Sequence, residues 1–125
     1  MEGIQVSWFE IPVMDIHRAA LFYESVFEIT IQIKDFGALK MGMFPVSTGT
    51  GSSTGALVYH PTAYFPATPQ GVLLYLNCDD ISEKLNRVCA AGGEVLQEAR
   101  QISEDFGSTG VFIDSEGNRM AFRSY

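Results

Sequence analysis

Residues 9–27 read FEIPVMDIHRAALFYESVF, and residues 74–92 read LYLNCDDISEKLNRVCAAG. In each stretch an alternating apolar run meets an Asp, and a pattern of helical period follows it. Asp15-Ile16 recurs as Asp80-Ile81, an offset of 65 residues. A later echo, Phe36-Gly37 and Phe106-Gly107, precedes further apolar runs. A repeat of this length in a short chain implies two like supersecondary units that complete one core together.

Working outward from the first copy, alternation over residues 5–13 predicts a strand. Phe9, Ile11 and Val13 face a helix, and Trp8, Glu10 and Pro12 take the other face. Asp15 is an N-cap, and the helix it starts runs to about residue 27 with Ile16, Ala20, Tyr23 and Phe27 on one stripe. Strands are expected over 29–34, 38–46 and 56–60. STGTGSSTG, residues 47–55, reads as a flexible hairpin without core-forming side chains. Met41, Met43 and Phe44 read as core. PTAYFPATPQG, residues 61–71, carries three prolines and reads as a linker.

The second copy repeats the order. Residues 72–78 form a strand with Leu74, Leu76 and Cys78 toward the helix and Leu73, Tyr75 and Asn77 on the other face. Asp80 and Glu83 have the spacing of a capping box. Ile81, Leu85 and Val88 form the helical stripe, and Gly92-Gly93 ends it. Strands follow near 94–98, 108–113 and 119–124, the last two joined by a turn at DSEGN, residues 114–118. The architecture is therefore α+β: two βαβββ modules in a single domain spanning 1–125. Module 1 covers about 4–60, the linker 61–71, and module 2 about 72–125.

The chain has 125 residues, a length that supports one domain with a sizeable core. Its formal net charge of −7 disfavours nucleic acid and anionic membranes as partners, because both attract basic surfaces. No apolar run approaches the roughly 20 residues of a membrane span, and the first residues lack a signal pattern, so the expected location is cytoplasmic. Cys78 and Cys89 do not form a disulfide framework and read as buried free thiols. His17 should be solvated on the helix, and His60 should serve a loop.

FEIPVMDIHRAALFYESVF, DDISEKLNRVCAAGGEVL (79–96) and FGSTGVFIDSEGNRMAF (106–122), in that order, resemble the vicinal oxygen chelate superfamily of glyoxalase, bleomycin-resistance and extradiol-dioxygenase proteins. The resemblance covers essentially the whole chain and is closest to the small glyoxalase-like proteins. Glu28, where the family usually has Gly, and Ser115, where it usually has Pro, depart from the pattern. The resemblance implies a cupped mixed sheet around a cavity, frequent homodimers, and in the enzymes a divalent metal. The metal is held by His, Gln or Glu from the first and last strands of each module. The positions matching those ligands are Trp8, Leu73, Ala121 and the GALV of residues 55–58. None of these side chains can supply an O or N donor at metal-ligand distance.

The sequence therefore leads to a metal-independent small-molecule binder without a cofactor, expected to be a homodimer. Its expected cavity is lined by Trp8, Glu10, Leu73, Tyr75, Asn77, Ala121 and Arg123. Glu10 is the candidate general base or ligand-binding carboxylate, or else the structural partner of Arg119 or Arg123. Tyr75 and Asn77 can orient a polar ligand, and Trp8 offers a flat stacking wall. Two other readings stay open. One is a lyase, isomerase or dioxygenase of the same family, using unrecognised metal ligands or Glu10 as base. The other is a non-catalytic interaction domain.

Overall fold

The computed structural model describes residues 3–46 and 54–125. Two modules are present, each a strand, a helix and three further strands. Module 1 comprises β1 (Trp8–Pro12), α1 (Ile16–Phe27), β2 (Gln32–Phe36), β3 (Leu39–Met43) and β4 (Thr54–Tyr59). Module 2 comprises β5 (Leu74–Asn77), α2 (Ile81–Ala90), β6 (Glu94–Ser103), β7 (Gly107–Ile113) and β8 (Arg119–Ser124). The sheets are four-stranded, mixed and ordered alike, β1-β4-β3-β2 and β5-β8-β7-β6. The single parallel pair in each joins the strand before the helix to the last strand.

Several boundaries differ from the sequence reading. Strand β2 starts at Gln32 rather than 29, because the Ile31 N–H is taken by the Glu24 carboxylate at 2.8 Å. Thr54 and Gly55, read as hairpin, open β4. The rest of that hairpin, residues 47–53, lies outside the described residues. Gly55 is obligatory in its place, since a Cβ there would lie 2.1 Å from the Phe9 carbonyl oxygen.

Alternation places Phe9, Ile11 and Val13 under α1, as the repeat implied, and the core runs through both modules. Phe22 reaches Phe112 with ring centres 6.3 Å apart, and Phe27 meets Phe122 at 5.7 Å. Helix α1 lies against its own sheet and against module 2. It buries Ile16, Ala19, Ala20, Phe22, Tyr23 and Val26, a wider face than the four-residue stripe anticipated. Helix α2 buries only Ile81, Leu85 and Val88. Cys89, one residue beyond that narrow stripe, is exposed rather than buried. Cys78 is half-buried, and burial pushes its thiol up to about 11, so it is not a ready nucleophile.

The N-caps hold, with one correction. Asp15 Oδ1 accepts from the N–H groups of His17 and Arg18, both at 3.1 Å. Asp80 Oδ1 accepts from Glu83 N–H at 3.1 Å. The reciprocal half of the predicted capping box does not form. The Glu83 carboxylate instead takes Arg87 Nε, one turn on, at 2.5 Å. An arginine at i+4 offers a charged donor, which wins over a neutral backbone N–H.

Candidate functional site

On the face of module 1 away from α1, Trp8 and Glu10 follow each other along β1. That face continues through Thr54, Ala56 and Val58 of β4 to Met43 and Met41 of β3. Two aromatic side chains hold Glu10. Trp8 Nε1–H donates to Oε2 at 3.3 Å, and the Tyr64 hydroxyl donates to Oε1 at 2.5 Å. The adjacent carboxylate keeps the Tyr64 hydroxyl protonated above the ordinary phenol range, with a smaller contribution from burial. A carboxylate offers about four acceptor positions. Two remain for an incoming donor, one on each oxygen.

The arginine partnership considered for Glu10 does not form. Arg123 Nε donates to the Phe106 carbonyl at 3.0 Å, and its guanidinium lies over the Phe106 and Tyr125 rings. Arg119 comes nearer, lining with Glu10 a groove of about 290 Å³ between β1 and the start of module 2. Pro12, Phe65, Val72 and Leu74 supply its apolar walls.

The seven residues expected around one cavity fall into two groups. Trp8 and Glu10 are joined by their hydrogen bond. Tyr75 pairs with Ala121, and Asn77 with Arg123, across β5 and β8, so these four share a face of the second sheet. Asn77 and Arg123 line a second groove, of about 350 Å³, at the far end of those strands. Leu73 immediately precedes β5 and is half-buried. His17 is exposed, and His60 serves its loop by accepting the Thr62 N–H at 3.2 Å. Tyr64 and Phe65 were missed as site residues because three prolines made their segment read as a bare linker. Two adjacent aromatic residues inside such a segment were the available signal.

The family's divalent ion does not fit the donor set. Indole Nε1–H has no lone pair to offer and is directed at Glu10. Ala121 is fully buried, as are Gly55, Ala56, Leu57 and Val58. Among the described residues, no three His, Cys, Asp or Glu side chains converge.

A second polar cluster is structural and joins the modules. Glu116, in the turn between β7 and β8, has a fully buried side chain. Its Oε1 accepts the N–H groups of Met14 and Asp15, both at 2.8 Å. Arg18 clamps both oxygens, at 2.7 and 2.9 Å. Burial pushes the Glu116 carboxyl up, but Arg18 and the two N–H donors outweigh it and leave it below the ordinary range. Asp114 accepts from the Tyr23 hydroxyl at 2.7 Å and from Glu116 and Asn118 N–H at 2.9 Å. Burial dominates there and holds its carboxyl above the ordinary range. Asn118 completes the junction by donating to the Pro12 carbonyl at 2.7 Å.

Comparison with known proteins agrees with this architecture. The chain is 28% identical over 118 residues to a "Glyoxylase-like domain-containing protein" of Didymella fabae, covering 94% of this chain and 91% of the relative. Its fold superposes on a glyoxalase I mutant from Zea mays with a TM-score of 0.74 at 16% identity, over 94% of this chain but only 46% of the maize chain. A hypothetical protein from S. aureus matches over 98% of both chains, with a TM-score of 0.69 and 25% identity. No helix among the described residues is long and apolar enough to cross a membrane. The family model of the Glyoxalase/Bleomycin resistance protein/Dioxygenase superfamily matches residues 5–122, and the chain belongs to that superfamily.

Proposed function

We propose that this protein binds a small, partly apolar molecule without a metal, and that Glu10 is the group that receives it. The observation that carries this reading is the clamp on Glu10. Trp8 and Tyr64 fix the carboxylate from two sides at the mouth of a groove with apolar walls, and an acceptor position stays open on each oxygen. An orienting polar group beside apolar walls is the usual composition of a small-ligand site. The ligand presents an N–H or O–H donor to Glu10 and lays its apolar part toward Phe65 and Val72. The lack of fitting donors at Trp8, Leu73 and Ala121 supports the metal-free part of the reading.

Trp8 is the only tryptophan of the chain, so its fluorescence reports on this site alone. A fragment library of aryl amines and aryl alcohols, screened by melting temperature and Trp8 emission, tests the proposal. Binders should raise the melting temperature of wild type more than that of Glu10→Gln, and Tyr64→Phe should fall between them. Equal shifts in wild type and Glu10→Gln overturn the role of Glu10. Stoichiometric nickel, zinc, iron or manganese in untagged protein overturns the metal-free reading.

A further inference from the structure

The groove at the ends of β5 and β8 is separate from the Glu10 groove and has a different chemistry. Asn77, Cys78, Asp79, Arg123, Ser124 and Tyr125 line it. Arg123 is unusually restrained for a surface arginine. Its guanidinium carbon lies 3.9 Å from the Phe106 ring centre and 4.3 Å from that of Tyr125. Its Nε–H is held by the Phe106 carbonyl at 3.0 Å. Among the described residues, its two terminal nitrogens have no hydrogen-bond or ion-pair partner. Each of the five ion pairs found there uses another cation.

We infer that this groove is a carboxylate-binding site, with Arg123 as the fork that reads the carboxylate and Asn77 as its neighbouring hydrogen-bond donor. The rings and the carbonyl immobilise the guanidinium before any ligand arrives, so little rotamer entropy remains to be lost on binding. With Nε occupied, the two terminal nitrogens present a planar pair of donors that matches the two oxygens of one carboxylate. Asn77 is the register partner of Arg123 on β5, which puts its amide on the same face. Asp79 stands on the rim and opposes anions. For a phosphate dianion the attraction to Arg123 and the repulsion from Asp79 both double and largely offset, so the discrimination comes from the negative surroundings and from the fit of the fork to two coplanar oxygens. The net charge of −7 acts in the same direction. The ligand class is therefore a small monocarboxylate, not a phosphate ester.

An NMR titration with benzoate and with phenyl phosphate tests this, following the Arg123 Nε–H and the Asn77 side-chain amide. Benzoate should give saturable shifts at both groups and leave Trp8 fluorescence unchanged, which separates this site from the one at Glu10. Arg123→Lys keeps the charge but loses the fork and should weaken benzoate about tenfold. Phe106→Leu removes one wall of the arginine cage and should weaken it about threefold, providing a second reading if the lysine variant does not fold. Asp79→Asn should leave benzoate bound and raise the affinity for phenyl phosphate. The inference is overturned if benzoate gives no saturable shifts. It is equally overturned if both variants bind benzoate as wild type does, or if wild type prefers phenyl phosphate.

Discussion

The two helix starts are the same in sequence and opposite in circumstance. Asp15 and Asp80 each cap a helix after an alternating strand, and their backbone angles agree closely (φ −142° and −132°, ψ 106° and 101°). The Asp15 junction is nevertheless locked by a carboxylate from the other module, because Glu116 gathers Met14 N–H, Asp15 N–H and Arg18. The Asp80 carboxylate makes one hydrogen bond, to its own helix, and the acid at the third helical position turns away toward Arg87. A duplicated backbone therefore does not imply a duplicated interface. One copy became the contact between modules while the other stayed a solvated helix end, beside the grooves that Asp79 and Asn77 line.

The sharpest way to break this asymmetry is to remove the carboxylate that creates it. Glu116→Ala leaves the Met14 and Asp15 N–H groups without the buried carboxylate that they share, and takes the partner from the half-exposed Arg18 guanidinium. It should cost about 3 kcal/mol of stability. Asp80→Ala removes one cap at an exposed helix end and should cost about 1 kcal/mol. Urea unfolding of the two variants measures the contrast directly. Equal costs would mean that the Glu116 clasp contributes no more to holding the modules together than one exposed helix cap does.

The same junction makes a signed prediction for pH. The Glu116 carboxyl lies below its ordinary range in the folded protein, so its stabilisation is present above the unfolded value and is lost as pH falls through the folded one. Asp114 lies above its ordinary range. Its contribution is fully present below the unfolded value and is lost as pH rises through the folded one. On acidification the two groups therefore act in opposite directions, Asp114 returning stability while Glu116 gives it up. In wild type the Asp114 gain should offset part of the Glu116 loss in urea midpoint between about pH 6 and about pH 3. Glu116→Gln starts from a lower midpoint and should keep the Asp114 gain without the Glu116 loss, so its midpoint falls less on acidification than that of wild type. A variant that falls as steeply as wild type would place the acid-sensitive group elsewhere.

The contrast between junctions also explains how much could be read in advance. Alternation in FEIPV and LYLNC, and the caps at Asp15 and Asp80, depend on neighbours within one turn or one strand. These gave the modules, the helix faces and the N-caps. The Glu116–Arg18 contact spans 98 residues of chain and leaves no periodic trace, so DSEGN was legible as a turn but not as a clasp. The Glu10–Tyr64 pair spans 54 residues and was hidden for the same reason. Arg123 was placed on the correct face by parity. Its actual partners, the Phe106 and Tyr125 rings, come from beyond the ladder that parity describes. Cys89 shows the opposite failure. Helical periodicity was available, but the stripe on α2 is narrower than that on α1, and the thiol falls outside it.

The helix C-termini give the finest test of how far the two copies have diverged. Beyond α2 the left-handed position is Gly92, with φ 100°, which costs a glycine nothing. At the end of α1 it is Glu28, the only described non-glycine residue with positive φ, at 56°. A side chain with a Cβ loses roughly 1–2 kcal/mol in that conformation. What Glu28 gains in return is an ion pair with Arg87 at 2.9 Å, which solvent screens because Glu28 is exposed and Arg87 partly so. Arg87 also keeps Glu83, so it is not stranded if Glu28 is replaced. Glu28→Asn tolerates the left-handed conformation and retains a side-chain oxygen, so it should stabilise the protein by about 0.5 kcal/mol, read as a small increase in urea midpoint. A decrease would mean that the Glu28–Arg87 pair, which links the end of α1 to α2, contributes more to holding the modules together than its exposure implies.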